Sequence, residues 1–262
     1  MRHAISQPLF ACAVLGGATL FASNVEAASC AGLAESLKLP NVTVTSAEEV
    51  AAGQFKPPGA AGPGGAPGGN YATLPAFCRL AATARPTPDS DIRFEVWMPL
   101  TGWNGKFVGG GNGVWEGSIA YGDMSDPLSR GYATAASDVG HQGSPLDGSF
   151  LTGHPEKLTD FGHRAVHETA VAAKAAIKAF YGKAPSRSLY ASCSTGGRIG
   201  LMEAYRYPED YDAMGAREVV VFDPSATDRS RKRVRWQVFR RVRGRGLVRV
   251  FVVHHITWSI NS

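Results

Sequence analysis

The stretch that most constrains this chain is residues 188–208, SLYASCSTGGRIGLMEAYRYP. A short apolar strand, a Gly-flanked turn and a helix stopped by Pro208 put Ser194 at the sharpest point of the turn. A serine hydroxyl is a weak nucleophile unless it is held exposed, within reach of a base and beside backbone N–H donors; a strand-to-helix turn does all three. Gly196 and Gly197 leave room for the turn and let the helix lie close to the strand. The N–H of Thr195 stands at the helix start, where unpaired donors and the helix dipole stabilise an oxyanion. The generic pattern is G-x-S-x-G. Ser192 takes its first position here, so the match is S-x-S-x-G, and a Gly-Gly turn between strand and helix is also a common structural device.

The residues before this turn supply the elements it needs. Ile92, Phe94, Val96 and Met98 alternate with Arg93, Glu95 and Trp97, the period of a half-buried strand. A second strand over 106–108 runs into Gly109-Gly110-Gly111-Asn112-Gly113. A Gly-rich loop after an early strand of an α/β sheet can supply a second oxyanion N–H, because glycine lets backbone approach the substrate oxygen; Gly110 and Gly111 are the candidates. Residues 131–137 read as a buried parallel strand, followed by Asp138-Val139-Gly140-His141 on the face where such sheets carry their sites. His141 can touch substrate there or be a loop histidine, and it falls outside the expected order of serine, acid, histidine. Residues 159–181 form the clearest helix, with Val166, Ala170, Ala173, Ile177 and Phe180 on one face and Gly182 at its end. His163 and His167 lie one turn apart, a spacing that can hold a metal, but with no third ligand at a fixed spacing His167 reads as a hydrogen-bonded interior residue.

The N-terminus reads as a leader. Residues 8–22 are an apolar run, and Val25-Glu26-Ala27 offers small residues for a signal peptidase, so residues 1–27 are expected to be removed and the mature protein to be secreted or periplasmic, with no membrane association. Cys12 leaves with the leader; Cys30, Cys78 and Cys193 remain, an odd count for an oxidising compartment. Residues 56–70, KPPGAAGPGGAPGGN, are a surface loop or linker.

The wider string CSTGGR…GLMEAYRYPEDYDA resembles the tannase and feruloyl esterase family of secreted serine esterases. The similarity runs over about residues 30–216, through LPAFCRLAATARPTPDSDIRFEVWMPL, WNGKFVGGGNG, RGYATAASDVGHQG and RAVHETAVAAKAAIKAFYG. It implies an α/β-hydrolase core, a mostly parallel sheet with helices on both faces, of which this chain is the N-terminal part. It implies Ser194 as nucleophile, small aromatic (phenolic) acid esters as substrates, and a disulfide between Cys30 and Cys78. In the family a cysteine before the nucleophile, here Cys193, is bonded to one after the catalytic histidine; with Cys30 and Cys78 paired, Cys193 is the odd one. Calcium in the family belongs to a lid insertion, so no metal or other cofactor is expected.

The resemblance stops near residue 216. Residues 217–262 hold 11 of the 27 Lys+Arg and 3 of the 22 Asp+Glu, a net charge of +8, against −3 for residues 1–216. Runs of Arg, Val and Gly without a helical or clean strand period suggest a frameshifted or otherwise aberrant terminus, to which no domain is assigned; residues 28–216 are expected to be the N-terminal part of the catalytic domain. Asp223 or Asp228 with His254 or His255 stand in the right order for acid and base, yet nothing around them suggests strands to aim them. The expectation is a truncated serine carboxylesterase of weak or no activity. The alternatives are an active short esterase recruiting the tail histidines, and a noncatalytic exported protein whose basic arm binds polyanions. Export argues against nucleic acid as the partner.

Overall fold

The computed structural model describes residues 28–58, 69–217 and 249–253. The expected leader, most of the Pro/Gly loop and Asp223, Asp228, His254 and His255 lie outside them. Eight strands form one sheet in the order β1-β2-β3-β5-β4-β6-β7-β8. β1 (Val42–Val50), β2 (Phe77–Ala84) and β3 (Ile92–Pro99) make an antiparallel flank, and β3 pairs antiparallel with β5 (Ala133–Ser137). From β5 the sheet is parallel through β4 (Lys106–Gly109), β6 (Arg187–Cys193), β7 (Ala213–Arg217) and β8 (Arg249–Val253). Jumps of this kind in strand order place loops from several strands at the same carboxyl edge, where open α/β sheets carry sites.

Helices cover both faces. The short α1 (Leu33–Ser36) sinks Leu33 into the larger core, and Cys30 beside it is bonded to Cys78 of β2, as the resemblance implied. On the opposite face α2 (Tyr121–Ser129) packs Met124 and Leu128 against Phe55, Leu74, Phe77, Trp97 and Ala136. This second core corrects the half-buried reading of β3, in which only Arg93 is exposed. Glu95 is buried because it accepts four hydrogen bonds, from Arg79 Nε (2.9 Å) and Nη2 (2.6 Å), Trp97 Nε1 (2.8 Å) and Tyr121 Oη (2.9 Å). A buried charge with a bidentate guanidinium and two further donors is a satisfied one.

The helix expected over 159–181 begins earlier and changes pitch. α3 (Pro155–Thr159) passes through a π-turn at Asp160–Arg164 into α4 (Ala165–Tyr181), which lays Ala165, Val166, Ala170, Ala173 and Ile177 on the sheet. Gly182 ends it at φ 70°, the left-handed cap that glycine adopts at least cost. After β6 comes α5 (Thr195–Arg206). The tail differs most from expectation: residues 249–253, RVFVV, form a strand parallel to β7. β-branched and aromatic residues carry the strand propensity there despite the surrounding arginines.

Candidate active site

Ser194 joins β6 to α5 with φ 56° and ψ −122°. That is the conformation of the first central residue of a type II′ turn, where glycine is usual, so the serine is held in a costly backbone state. Its carbonyl accepts the Arg198 N–H at 3.1 Å, the first hydrogen bond of α5. Thr195 is the first helical residue, and its N–H is one of the donors for which an α-helix has no partner of its own. Ser194 is partly exposed, and Cys193 is exposed in the last position of β6.

The elbow has no room for side chains behind it. A Cβ on Gly196 would strike the Ser192 hydroxyl and lie 3.0 Å from the Asn112 carbonyl. A Cβ on Gly111 would strike the Tyr190 hydroxyl and lie 2.8 Å from Cα of Gly196. The Gly-rich loop after β4 is therefore pressed against the elbow. The two candidate glycines are not equivalent. Gly110 donates its N–H to the Ala135 carbonyl at 2.9 Å, whereas Gly111 is the residue that touches the elbow.

Tyr190, which the sequence reading passed over, supports the turn from below. It is buried, donates its hydroxyl to the Gly196 carbonyl at 2.7 Å, and bonds the Ser192 side chain. This explains the serine at the first position of the pentapeptide: its hydroxyl meets Tyr190. Gly200, one turn further along α5, lies against the same ring.

Beneath α5 is a buried polar cluster. Asp210, in the loop after α5, takes His167 Nδ1 on Oδ2 at 2.6 Å and Lys174 Nζ on Oδ1 at 3.0 Å. Glu203 of α5 is fully buried, and neither of its oxygens receives a donor from another group. Burial, then the neighbouring Asp210 carboxylate, push the Glu203 carboxyl up to about 9, so it holds its proton at neutral pH beside Asp210. Burial opposes charge on His167, but the bond to Asp210 and that carboxylate's charge outweigh it and raise the imidazole above its usual value. His167, Glu203 and Asp210 bring one ligand atom each within 4.8 Å, the one such group among the described residues. The Lys174 ammonium already neutralises Asp210, which makes this a proton-bridged cluster rather than a metal cradle. His163 is not in it: its Nδ1 pairs with Tyr207 Oη at 3.0 Å. The sequence signal for Glu203 was its place in the buried stripe Gly196, Ile199, Gly200, Glu203.

At the end of β5, Asp138 and His141 sit in a strained loop, with Val139 at φ 53° and Gly140 at φ 89°. Asp138 Oδ1 accepts the N–H groups of Arg93 and Gly140, both at 3.0 Å, while burial raises its carboxyl to about 7. His141 is buried, its Nε2 lies 2.8 Å from the Trp115 carbonyl, and its ring stacks on Phe150 at 3.5 Å. Burial lowers its pKa, so it is neutral. It is thus a fixed wall residue rather than a mobile base.

The sequence model of the family described as Tannase and feruloyl esterase matches residues 78–222. An uncharacterized esterase of Xanthomonas campestris pv. campestris is 41% identical over 198 residues, covering 76% of this chain and 33% of that protein. Among solved structures, an esterase from Aspergillus oryzae superposes with a TM-score of 0.65 at 34% identity, over 72% of this chain and 37% of that one. Feruloyl esterase B from the same species gives 0.64 at 31% identity, over 72% and 36%. The chain spans 33–38% of the length of the curated relatives it matches. A family match over more than half of these residues, on a sheet of α/β-hydrolase order with a strained serine at its elbow, leaves one assignment: the chain belongs to the tannase and feruloyl esterase family.

Proposed function

We propose that residues 28–216 are the nucleophile-bearing part of a secreted serine esterase that cleaves esters of aromatic, phenolic acids through an acyl-enzyme. The observation that carries this reading is Ser194 at φ 56° with the Gly-rich loop packed directly on the turn behind it. In the step proposed, the Ser194 hydroxyl attacks the ester carbonyl carbon. A base takes the hydroxyl proton, the carbonyl oxygen becomes an oxyanion facing the N–H groups of Thr195 and Gly111, and the alcohol leaves with a proton. Water then releases the acid. The Cys30–Cys78 disulfide supports an oxidising compartment, and the name of the Aspergillus oryzae neighbour supports feruloyl-type esters as the substrates to try first.

A second reading, the short but active esterase, is favoured by β8. Val253 pairs with Arg217, which pairs with Cys193, so the strand preceding His254 in the chain ends level with the strand preceding Ser194. The test is shared. An aryl fluorophosphonate should label the full chain once, at Ser194, and not label Ser194→Ala; no label in the wild type would remove the nucleophile assignment. Turnover of methyl ferulate that disappears in His254→Ala or His255→Ala selects the short esterase, and single labelling without turnover selects the acylation-competent part alone.

A further inference from the structure

The cluster under α5 lies away from the serine yet is built into the same helix. Glu203 follows Ser194 by two and a half turns and faces groups from every element packed around it: His167 and Lys174 of α4, Tyr190 of β6, and Tyr207, Glu209, Asp210 and Tyr211 of the loop after α5. Two carboxyl groups so close cannot both be charged in a dry interior, and Lys174 and His167 are already spent on Asp210. The arrangement is satisfied when Glu203 keeps a proton and donates it to Asp210. Ionised, Glu203 would face the Asp210 carboxylate and set a negative charge within electrostatic reach of Tyr190, whose ring lies against Gly200 of the same helix and whose hydroxyl holds the Gly196 carbonyl two positions past Ser194.

We propose that Glu203 is a positioning residue for Ser194: as a neutral acid it donates to Asp210, ties α5 to α4, and keeps Tyr190 under the elbow. This rests on the reading of Ser194 as nucleophile for its purpose, but not for its chemistry. The proton stays between Glu203 and Asp210, and no bond to substrate is involved. Loss of that proton sets two negative charges side by side and pushes α5 off its seat. The elbow then loosens at alkaline pH without any change in the serine itself.

The experiment is run on the full chain in two parts. In difference infrared spectra, a buried carboxylic-acid carbonyl band should remain at pH 8, where Asp138 is largely ionised, fade as pH rises through about 9, and be missing at pH 8 from Glu203→Gln. In hydrogen exchange corrected for intrinsic rates, the elbow peptide containing Thr195, Gly196 and Gly197 should exchange roughly tenfold faster above that pH, the scale of one lost hydrogen bond. Glu203→Gln, which keeps a neutral donor, should hold the slow rate at both pH values, while Glu203→Ala should be fast at both. A purely structural glutamate would give no pH step and no rescue by Gln. The proposal is overturned if the pH 8 band survives in Glu203→Gln, if that variant shows the same pH step as wild type, or if Zn2+ binds stoichiometrically and is lost with Glu203. Failure of Ser194 to take a fluorophosphonate would sink the nucleophile reading and leave both of these readouts decisive for Glu203.

Discussion

Ser194→Gly should stabilise this protein, although it deletes the residue proposed as the nucleophile. The φ of 56° and ψ of −122° at Ser194 suit glycine and strain any residue with a Cβ, at about 1–3 kcal/mol. Glycine returns part of that gain, because its unfolded chain has more conformational freedom to lose, about 0.4–1 kcal/mol. The difference leaves a net stabilisation of about 1 kcal/mol. Ser194→Ala is the reference, since it removes the hydroxyl but keeps the Cβ and therefore the strain. Urea titration of the two variants side by side reads the term directly, and a thermal midpoint about 2–4 °C higher for the glycine variant is the matching calorimetric signal. A glycine variant less stable than the alanine variant, by the unfolded-state entropy alone, would mean that the turn is relaxed. The argument from strain to function would then fall.

Four further perturbations test the surrounding structure. Gly196→Ala drives a methyl into the Ser192 hydroxyl and toward the Asn112 carbonyl, so it should cost about 1–3 kcal/mol and abolish labelling of Ser194, measured by urea midpoint and phosphonate mass spectrometry. Glu95→Gln leaves the Arg79 guanidinium without its buried counter-charge and should cost about 3–5 kcal/mol in denaturant titration, far more than an exposed pair such as Arg130–Asp126. Replacing Cys30 and Cys78 together by Ala opens a loop of 48 residues and should lower stability by about 4 kcal/mol, checked against reduction of the wild type. Asp138, raised to about 7 by burial, binds its proton more tightly folded than unfolded, so its contribution is present below about pH 4 and lost as pH rises to 7. Across that window the stability of wild type relative to Asp138→Asn should fall by about 1.4 kcal/mol per pH unit and level off above 7; parallel profiles would refute the assignment.

Those parts of the site that depend on local backbone chemistry were legible in the sequence. A small-residue turn between an apolar strand and an amphipathic helix requires an elbow, and the Gly-rich run after a short strand requires close backbone approach. Both contacts are present at Gly111 and Gly196. Which glycine N–H is taken up by the sheet was not legible, because the answer depends on the pairing of Gly110 with Ala135, a residue of β5 25 positions further along the chain. The two-sided burial of β3 was hidden for a similar reason: an alternating pattern with Glu95 and Trp97 on the outer positions looks solvated until the neighbouring strand β2 supplies Arg79 and the covering helix α2 supplies Tyr121. Glu203 was hidden because a lone glutamate in a short helix is ordinarily a solvated one, and only Asp210 and Lys174 across the gap give it a different role. β8 was concealed by arginines, whose charge dominates composition without preventing a five-residue run from pairing.

Backbone strain such as that at Ser194 persists only where the surroundings over-determine it. Here three observed restraints meet at one turn, the Arg198 N–H on the Ser194 carbonyl, the Tyr190 hydroxyl on the Gly196 carbonyl and Gly111 pressed against Gly196 from the loop, and the proposed Glu203–Asp210 bridge would add a fourth by holding the helix to α4. They come from β6, the loop after β4, and the helices α4 and α5 that pack on the parallel part of the sheet. The costly conformation is therefore built by elements that precede residue 217, and its existence does not depend on how acid and base are supplied. It follows that loosening any one restraint should relax Ser194 without unfolding the antiparallel flank. Exchange measured in β2 and β3 should stay protected in the same Gly196→Ala sample in which the elbow peptide opens, and loss of protection in both together would show that the turn is part of one global unit rather than a separately strained one.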